Sequence, residues 1–142
     1  MTQHVLCAID LTHAEAEKAL LVKAAELARF YGATLSVVTV VPDYGMTIVG
    51  SYFQEGTQAK ALQAASDQLH QLVAGTLPDF GQVQHIVESG TVYEQVLDAA
   101  DRAQADLIIM GAHKPDLVDR IQGPNSARVA RHAKCSVLII RA

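Results

Sequence analysis

A strand, a glycine and a helix start carry the chemistry this chain advertises. The apolar run Leu107-Ile108-Ile109-Met110 stops at Gly111, the polar segment Ala112-His113-Lys114-Pro115 follows, and Gly123-Pro124-Asn125-Ser126 opens a helical segment from Ala127 to His132. A buried strand thus feeds, through a glycine, a loop that ends at a helix N-terminus. Such an end offers unpaired backbone N–H groups and a partial positive charge, and Lys114 and Ser126 add an ammonium and a hydroxyl, a set suited to a phosphate. The same residues have bland readings. Lys114 serves equally as a phosphate contact or an exposed loop charge, and Gly123 as a close-approach point or a simple turn. His113 and His132 read as structural or surface histidines. Cys135 reads as packing, because no base or cationic partner is placed beside it in the sequence.

The elements that must position this loop alternate strictly. His4 to Ile9 is continuously apolar over Val5, Leu6, Cys7, Ala8 and Ile9, the pattern of a strand covered on both faces. Thr12-His13-Ala14-Glu15 has the Thr-x-x-Glu form of a capping box, and Leu20, Ala24, Leu27 and Tyr31 fall on one face until Gly32 stops the helix. Leu35 to Val41 is a second interior strand ending at Pro42. Pro42 to Gly56 is too irregular for either period; a connection of that length tends to be functional, and it is a candidate to fold over a ligand. Helical spacing returns from Thr57 to Ala74, with Leu62, Ala65, Leu69, Leu72 and Val73 on one face. Val83 to Val87 is a third strand. Thr91-Val92-Tyr93-Glu94 is a second capping box, before a helix that buries Val92, Val96, Ala99, Ala100 and Ala103. Asp106 to Met110 and Ser136 to Ile140 complete five strands.

Strands alternating with helices predict a doubly wound α/β fold: a five-stranded parallel sheet, order 3-2-1-4-5, with right-handed crossovers and helices on both faces. Ligands of such sheets lie beyond the carboxyl ends of the strands where the order reverses. Asp10 and Gly111 are expected to face one another there. Composition agrees with one domain over residues 1–142: half the residues are apolar, enough for one core. No apolar run approaches the roughly 20 residues of a membrane-spanning helix, and Met1-Thr2-Gln3-His4 leads straight into a strand, so a cytoplasmic chain with no membrane partner is expected. Cys7 and Cys135 sit in apolar runs, as core hydrophobes do. A net charge of -4 argues against nucleic acid, which calls for a clustered basic face.

The whole chain resembles the universal stress proteins. The resemblance rests on Ile9-Asp10 at the end of the first strand, on Val37-Val38-Thr39-Val40-Val41 in the second, and on Glu88-Ser89-Gly90 before the third helix. Its most specific part is the block from Gly111-Ala112-His113-Lys114-Pro115-Asp116 through Gly123-Pro124-Asn125-Ser126-Ala127 to Arg141. The resemblance implies a stress-response protein that binds an adenine nucleotide, ATP with or without Mg2+. Asp10 would hold the ribose or a metal-coordinated phosphate, and backbone at Ile9 and Val40 would flank adenine. Gly111, Lys114, Gly123, Asn125 and Ser126 would cradle the phosphates. It also implies a homodimer through the last strand, Ser136 to Ile140, whose apolar edge has almost nothing after it to cover it.

The common binding pattern of the family is Gly-x2-Gly-x9-Gly-Ser/Thr, and this chain departs from it three times. Lys114 replaces the second glycine, the spacing to Gly123 is one residue short, and Pro124 stands in the hydroxyl position. The result resembles a sub-branch with a His-Arg/Lys-Pro loop, some of whose members bind ATP. A side chain in place of the second glycine costs roughly 1–2 kcal/mol if the backbone there must be left-handed, yet this side chain is an ammonium able to meet phosphate directly. Proline at a first helical turn is well tolerated, and the N–H groups of Asn125 and Ser126 remain.

No catalysis is expected. Phosphoryl transfer needs a placed metal, a positioned nucleophile and cationic groups on the developing charge, and Asp10 alone offers a metal-side carboxylate. Two rivals remain. A phospho-receiver shares this strand order but needs an acidic pair after the first strand, where Asp10 is followed by Leu11-Thr12. The stronger rival is a nucleotide-free dimeric interaction module of the same family, acting on an unknown protein partner.

Overall fold

The computed structural model describes residues 2–42, 57–112 and 125–141. The chain runs β1 (His4–Ala8), a 3-10 turn (Leu11–His13), α1 (Ala14–Tyr31), β2 (Thr34–Val41), α2 (Thr57–Thr76), β3 (Gln84–Ser89) and α3 (Val92–Ala103). It continues through β4 (Leu107–Gly111), α4 (Asn125–His132) and β5 (Ser136–Ile140). The five strands form one parallel sheet in the order β3-β2-β1-β4-β5, as the alternation predicts.

The register of the central pair is pinned at its start. The Asp106 carboxylate accepts from the backbone N–H groups of Gln3, at 2.7 Å, and His4, at 3.2 Å, while Asp106 N donates to the His4 carbonyl at 3.0 Å. Val5 thereby lies beside Leu107 and Cys7 beside Ile109. Two apolar layers cover the sheet. On one face Leu20, Leu21, Ala24, Ala25 and Ala28 of α1 and Leu69, Leu72 and Val73 of α2 pack on Val5, Cys7, Leu35, Val37 and Ile109. On the other, Val96, Ala99 and Ala100 of α3 and Val129 of α4 pack on Leu6, Val38, Ile108 and Met110. Alternate residues of each strand serve opposite layers, which is why the strands read as unbroken apolar runs. Each fully buried leucine or isoleucine contributes about 1.5–3 kcal/mol. An exposed pair such as Lys18–Glu15, at 3.0 Å, contributes roughly 0–1 kcal/mol, so the layers decide the fold.

Local signals were realised unevenly. Gly32 ends α1 in the left-handed region at φ 64, its N–H turned back to the carbonyls of Ala28 and Arg29, a Schellman-type stop that glycine adopts without strain. Neither capping box forms. The Asp10 carboxylate captures both the N–H and the hydroxyl of Thr12, so the chain enters a 3-10 turn from Asp10 and Thr12 caps nothing; α1 then starts after His13 with no side-chain cap. Thr91 likewise makes no side-chain cap. Tyr31, expected on the buried stripe, is 44% exposed, because Leu21, Ala25 and Ala28 rotate that stripe away from it. Strand ends shift by one or two residues: β1 stops at Ala8 instead of Ile9, and β3 runs on to Ser89, bringing Glu88 opposite Val40. β2 begins at Thr34, β4 spans Leu107–Gly111 in place of Asp106 to Met110, and α2 and α4 are each two residues longer than their spacing indicates. The Asp43-to-Gly56 part of the expected loop lies outside the described residues.

Where α2 meets β3, the rings of His70 and His85 stack at 3.8 Å, 16° from parallel. Burial first, and then the neighbouring His70, push the His85 imidazole below its ordinary pKa. The unfolded chain therefore takes up a proton at His85 at a pH where the folded chain resists it, and stability, complete above that ordinary value, falls as the pH drops below it. Urea midpoints measured between pH 7.5 and pH 5.5 (roughly one unit either side of the ordinary histidine value) should decline, and His85→Phe should flatten the decline. Parallel curves for the two proteins would refute this role for the stack.

Candidate functional site

The sheet order places the crevice. From β1 the chain leaves through α1 toward β2, while β4, its other neighbour, leads out on the opposite side of the sheet toward β5. The connections that leave the carboxyl ends of β1 and β4 therefore diverge to opposite faces, the place where sheets of this kind form a ligand crevice. Asp10 follows β1 at this edge and Gly111 closes β4, as expected of them. α4 returns the chain to Ser136, which lies beside Leu107 at the start of β4, so α4 runs antiparallel to the strands and its N-terminus stands at the same edge. That brings Asn125, exposed, and Ser126, buried, to the crevice end of the sheet. Lys114 and Gly123 lie outside the described residues.

Several of these groups already have protein partners. Asp10 Oδ1 accepts from Thr12 N at 3.0 Å and from Thr12 Oγ1 at 2.6 Å, and its Oδ2 lies 3.9 Å from His13 Nε2. The side chain is more than half exposed, so Oδ2 still faces solvent. Ile9 is buried, its N–H spent on the Val38 carbonyl and its own carbonyl accepting from Thr39 Oγ1 at 2.9 Å. A carbonyl has a second lone pair, which is what Ile9 has left to offer a ring edge. Val40 is half-buried, in register with Glu88.

Gly111 has a different character. Its backbone is not left-handed, and a Cβ built there would make ordinary contacts, 3.5 Å from Glu17 Oε2 and 3.8 Å from Leu20 Cδ2. Among the described residues neither conformation nor packing requires a glycine at the end of β4. A glycine there adds no side chain, an arrangement that lets a ligand approach backbone closely.

Glu17 was not foreseen. Its Oε1 accepts from the Asp10 N–H at 2.9 Å, its Oε2 reaches toward Gly111, and it is half-buried. Desolvation pushes its carboxyl above the ordinary value; the hydrogen bond from Asp10 pulls it back, the Asp10 charge raises it and His13 lowers it. The signal was in the spacing: Glu17 precedes Leu20, Leu21 and Ala24 on the i, i+3, i+4, i+7 stripe that α1 buries. A carboxylate opening an apolar stripe belongs at the rim of a core, not in solvent.

Elsewhere the chemistry is quiet. Among the described residues no three of His, Cys, Asp and Glu converge on a metal. His70 and His85 do not form a metal pair, because stacked rings aim their in-plane lone pairs side by side instead of at one point. A cavity of about 1140 Å3 opens at the opposite, amino end of the strands, lined among others by His4, Ser36, His70, His85 and Arg102. Arg102 there is paired with Glu88 and Asp98. Cys7 is fully buried in one apolar layer, and Cys135, half-buried, packs against the other; burial raises both thiols. No described helix is long and apolar enough to cross a membrane.

Comparisons with known proteins agree with the geometry. A curated relative, universal stress protein A homolog 1 of Coxiella burnetii, is 28% identical over 145 residues, covering 97% of this chain and 95% of its own. The solved universal stress protein UspA from Lactobacillus plantarum superposes with a TM-score of 0.77 at 23% identity, over 99% of this chain and 98% of its own. A universal stress protein solved in complex with cAMP matches with a TM-score of 0.63 at 21% identity, over 99% and 97%. The model of the universal stress protein family matches residues 1–141, and the chain belongs to the universal stress protein family.

Proposed function

We propose that this chain binds an adenine nucleotide, ATP with or without Mg2+, in the crevice between β1 and β4, and acts as a dimeric, cytoplasmic stress-response protein without catalysis of its own. The observation that carries the reading is Gly111: a glycine closing β4 at the point of strand-order reversal, for which its backbone and its packing among the described residues supply no reason. The cAMP held by a solved protein of the same fold supports the ligand class. Asp10 Oδ2 would meet the ribose or a metal carried by the phosphates, Ile9 and Val40 would flank the base, and Gly111, Lys114, Gly123, Asn125 and Ser126 would take the phosphates. With no cluster of metal ligands among the described residues, a metal would arrive with the nucleotide. Isothermal titration with ATP, with and without magnesium, should give saturable binding, and Gly123→Val should abolish it while leaving the circular dichroism unchanged. Unimpaired affinity in the folded variant would move the site elsewhere.

One observation favours the nucleotide-free interaction module. One oxygen of Asp10 is already engaged by Thr12, and the Ile9 carbonyl already accepts from Thr39, before any ligand arrives. No saturable binding up to millimolar ATP would decide for that reading.

The dimer is proposed through β5. It is an edge strand of the sheet, and Leu138 and Ile139 are 37% and 39% exposed on it. Apolar edge strands of this kind invite pairing with a second copy. Sedimentation velocity at micromolar concentration should show a dimer, and Ile139→Lys should shift it to monomer; a wild-type monomer would refute the interface.

A further inference from the structure

Glu17 bears on the charge of whatever enters the crevice. Its carboxylate is held between the ends of β1 and β4, one oxygen on the Asp10 N–H at 2.9 Å and the other 3.5 Å from where a Cβ on Gly111 would stand. The other neighbour at that spot, Leu20, is apolar. The ionisable groups that face Glu17 from the described residues are Asp10, His13 and the buried thiol of Cys7. Lys18, next in the chain, is turned to Glu15 at 3.0 Å and does not offset it. The described part of the crevice thus sets two carboxylates against one histidine, at the place where the preceding reading puts phosphates.

We infer that Glu17 is the charge-selecting residue of the crevice: it penalises each added phosphate charge, shifting preference from a nucleoside triphosphate toward a monophosphate. The inference rests on the adenine-nucleotide reading and deepens it. A like charge in a partly desolvated cleft repels more strongly than in bulk water, and the repulsion grows with the number of phosphate charges. The base and sugar feel almost none of it. The hydrogen bond to Asp10 is a separate task, since it needs only an acceptor oxygen; a carboxamide supplies that oxygen without the charge. Glu17→Gln therefore keeps the β1 elbow in place and removes only the repulsion.

The test is a titration of AMP and of ATP, in metal-free buffer at low salt, into wild type, Glu17→Gln and Glu15→Gln. Glu15 is exposed on the same helix and carries the same charge change away from the crevice. The ATP-to-AMP affinity ratio should rise about tenfold in Glu17→Gln, by the like-charge interaction removed, and stay unchanged in Glu15→Gln. An unchanged ratio in Glu17→Gln with both nucleotides still bound overturns the inference and leaves nucleotide binding standing. Saturable binding of neither nucleotide by wild type overturns both.

Discussion

The reversal of strand order between β1 and β4 is the constraint on which everything else rests. Right-handed crossovers put a helix on one face when the chain steps one way across the sheet and on the other face when it steps back. Here α1 and α2 accompany the steps from β1 to β3 on one face, and α3 and α4 accompany the return through β4 to β5 on the other. Between β1 and β4 the connections part to opposite faces, which is where sheets of this order form a ligand crevice. The site is a consequence of topology before it is a consequence of any side chain.

The described residues furnish that edge unevenly. One wall, from Asp10 to Glu17, is acidic and internally hydrogen-bonded: Asp10 holds Thr12, and Glu17 holds Asp10. The facing wall is a bare glycine and the first turn of a helix. An anion admitted here finds donors on the α4 side and carboxylates on the α1 side, so such a crevice is tuned by charge as much as by shape. The same wall accounts for the missing capping box, because the carboxylate that shapes the elbow takes the donor that a threonine cap would have organised around.

Much of the fold was legible in the chain because its causes are local. Short unbroken apolar runs at Val5 to Ile9 and Leu107 to Met110, each followed by turn residues, fit strands covered on both faces, Gly32 can stop a helix by itself, and strict alternation leaves few topologies open. What failed was competition between neighbours. Thr12 could cap or be captured, and the nearby Asp10 decided it; Tyr31 could join the stripe of α1 or leave it, and the packing of Leu21, Ala25 and Ala28 decided it.

The sequence by itself determined the family and the parallel sheet with its order, and the places of Asp10 after β1 and Gly111 at the end of β4, since each follows from residue type, period and spacing along the chain. Tertiary structure alone decided what these groups do with one another: that the Ile9 carbonyl is taken by Thr39, that Gly111 answers to no need of the backbone, and that Glu17 reaches from α1 across the gap to both strand ends. Those are distances between segments far apart in the chain. They are set by how helices seat on the sheet, which no local pattern encodes.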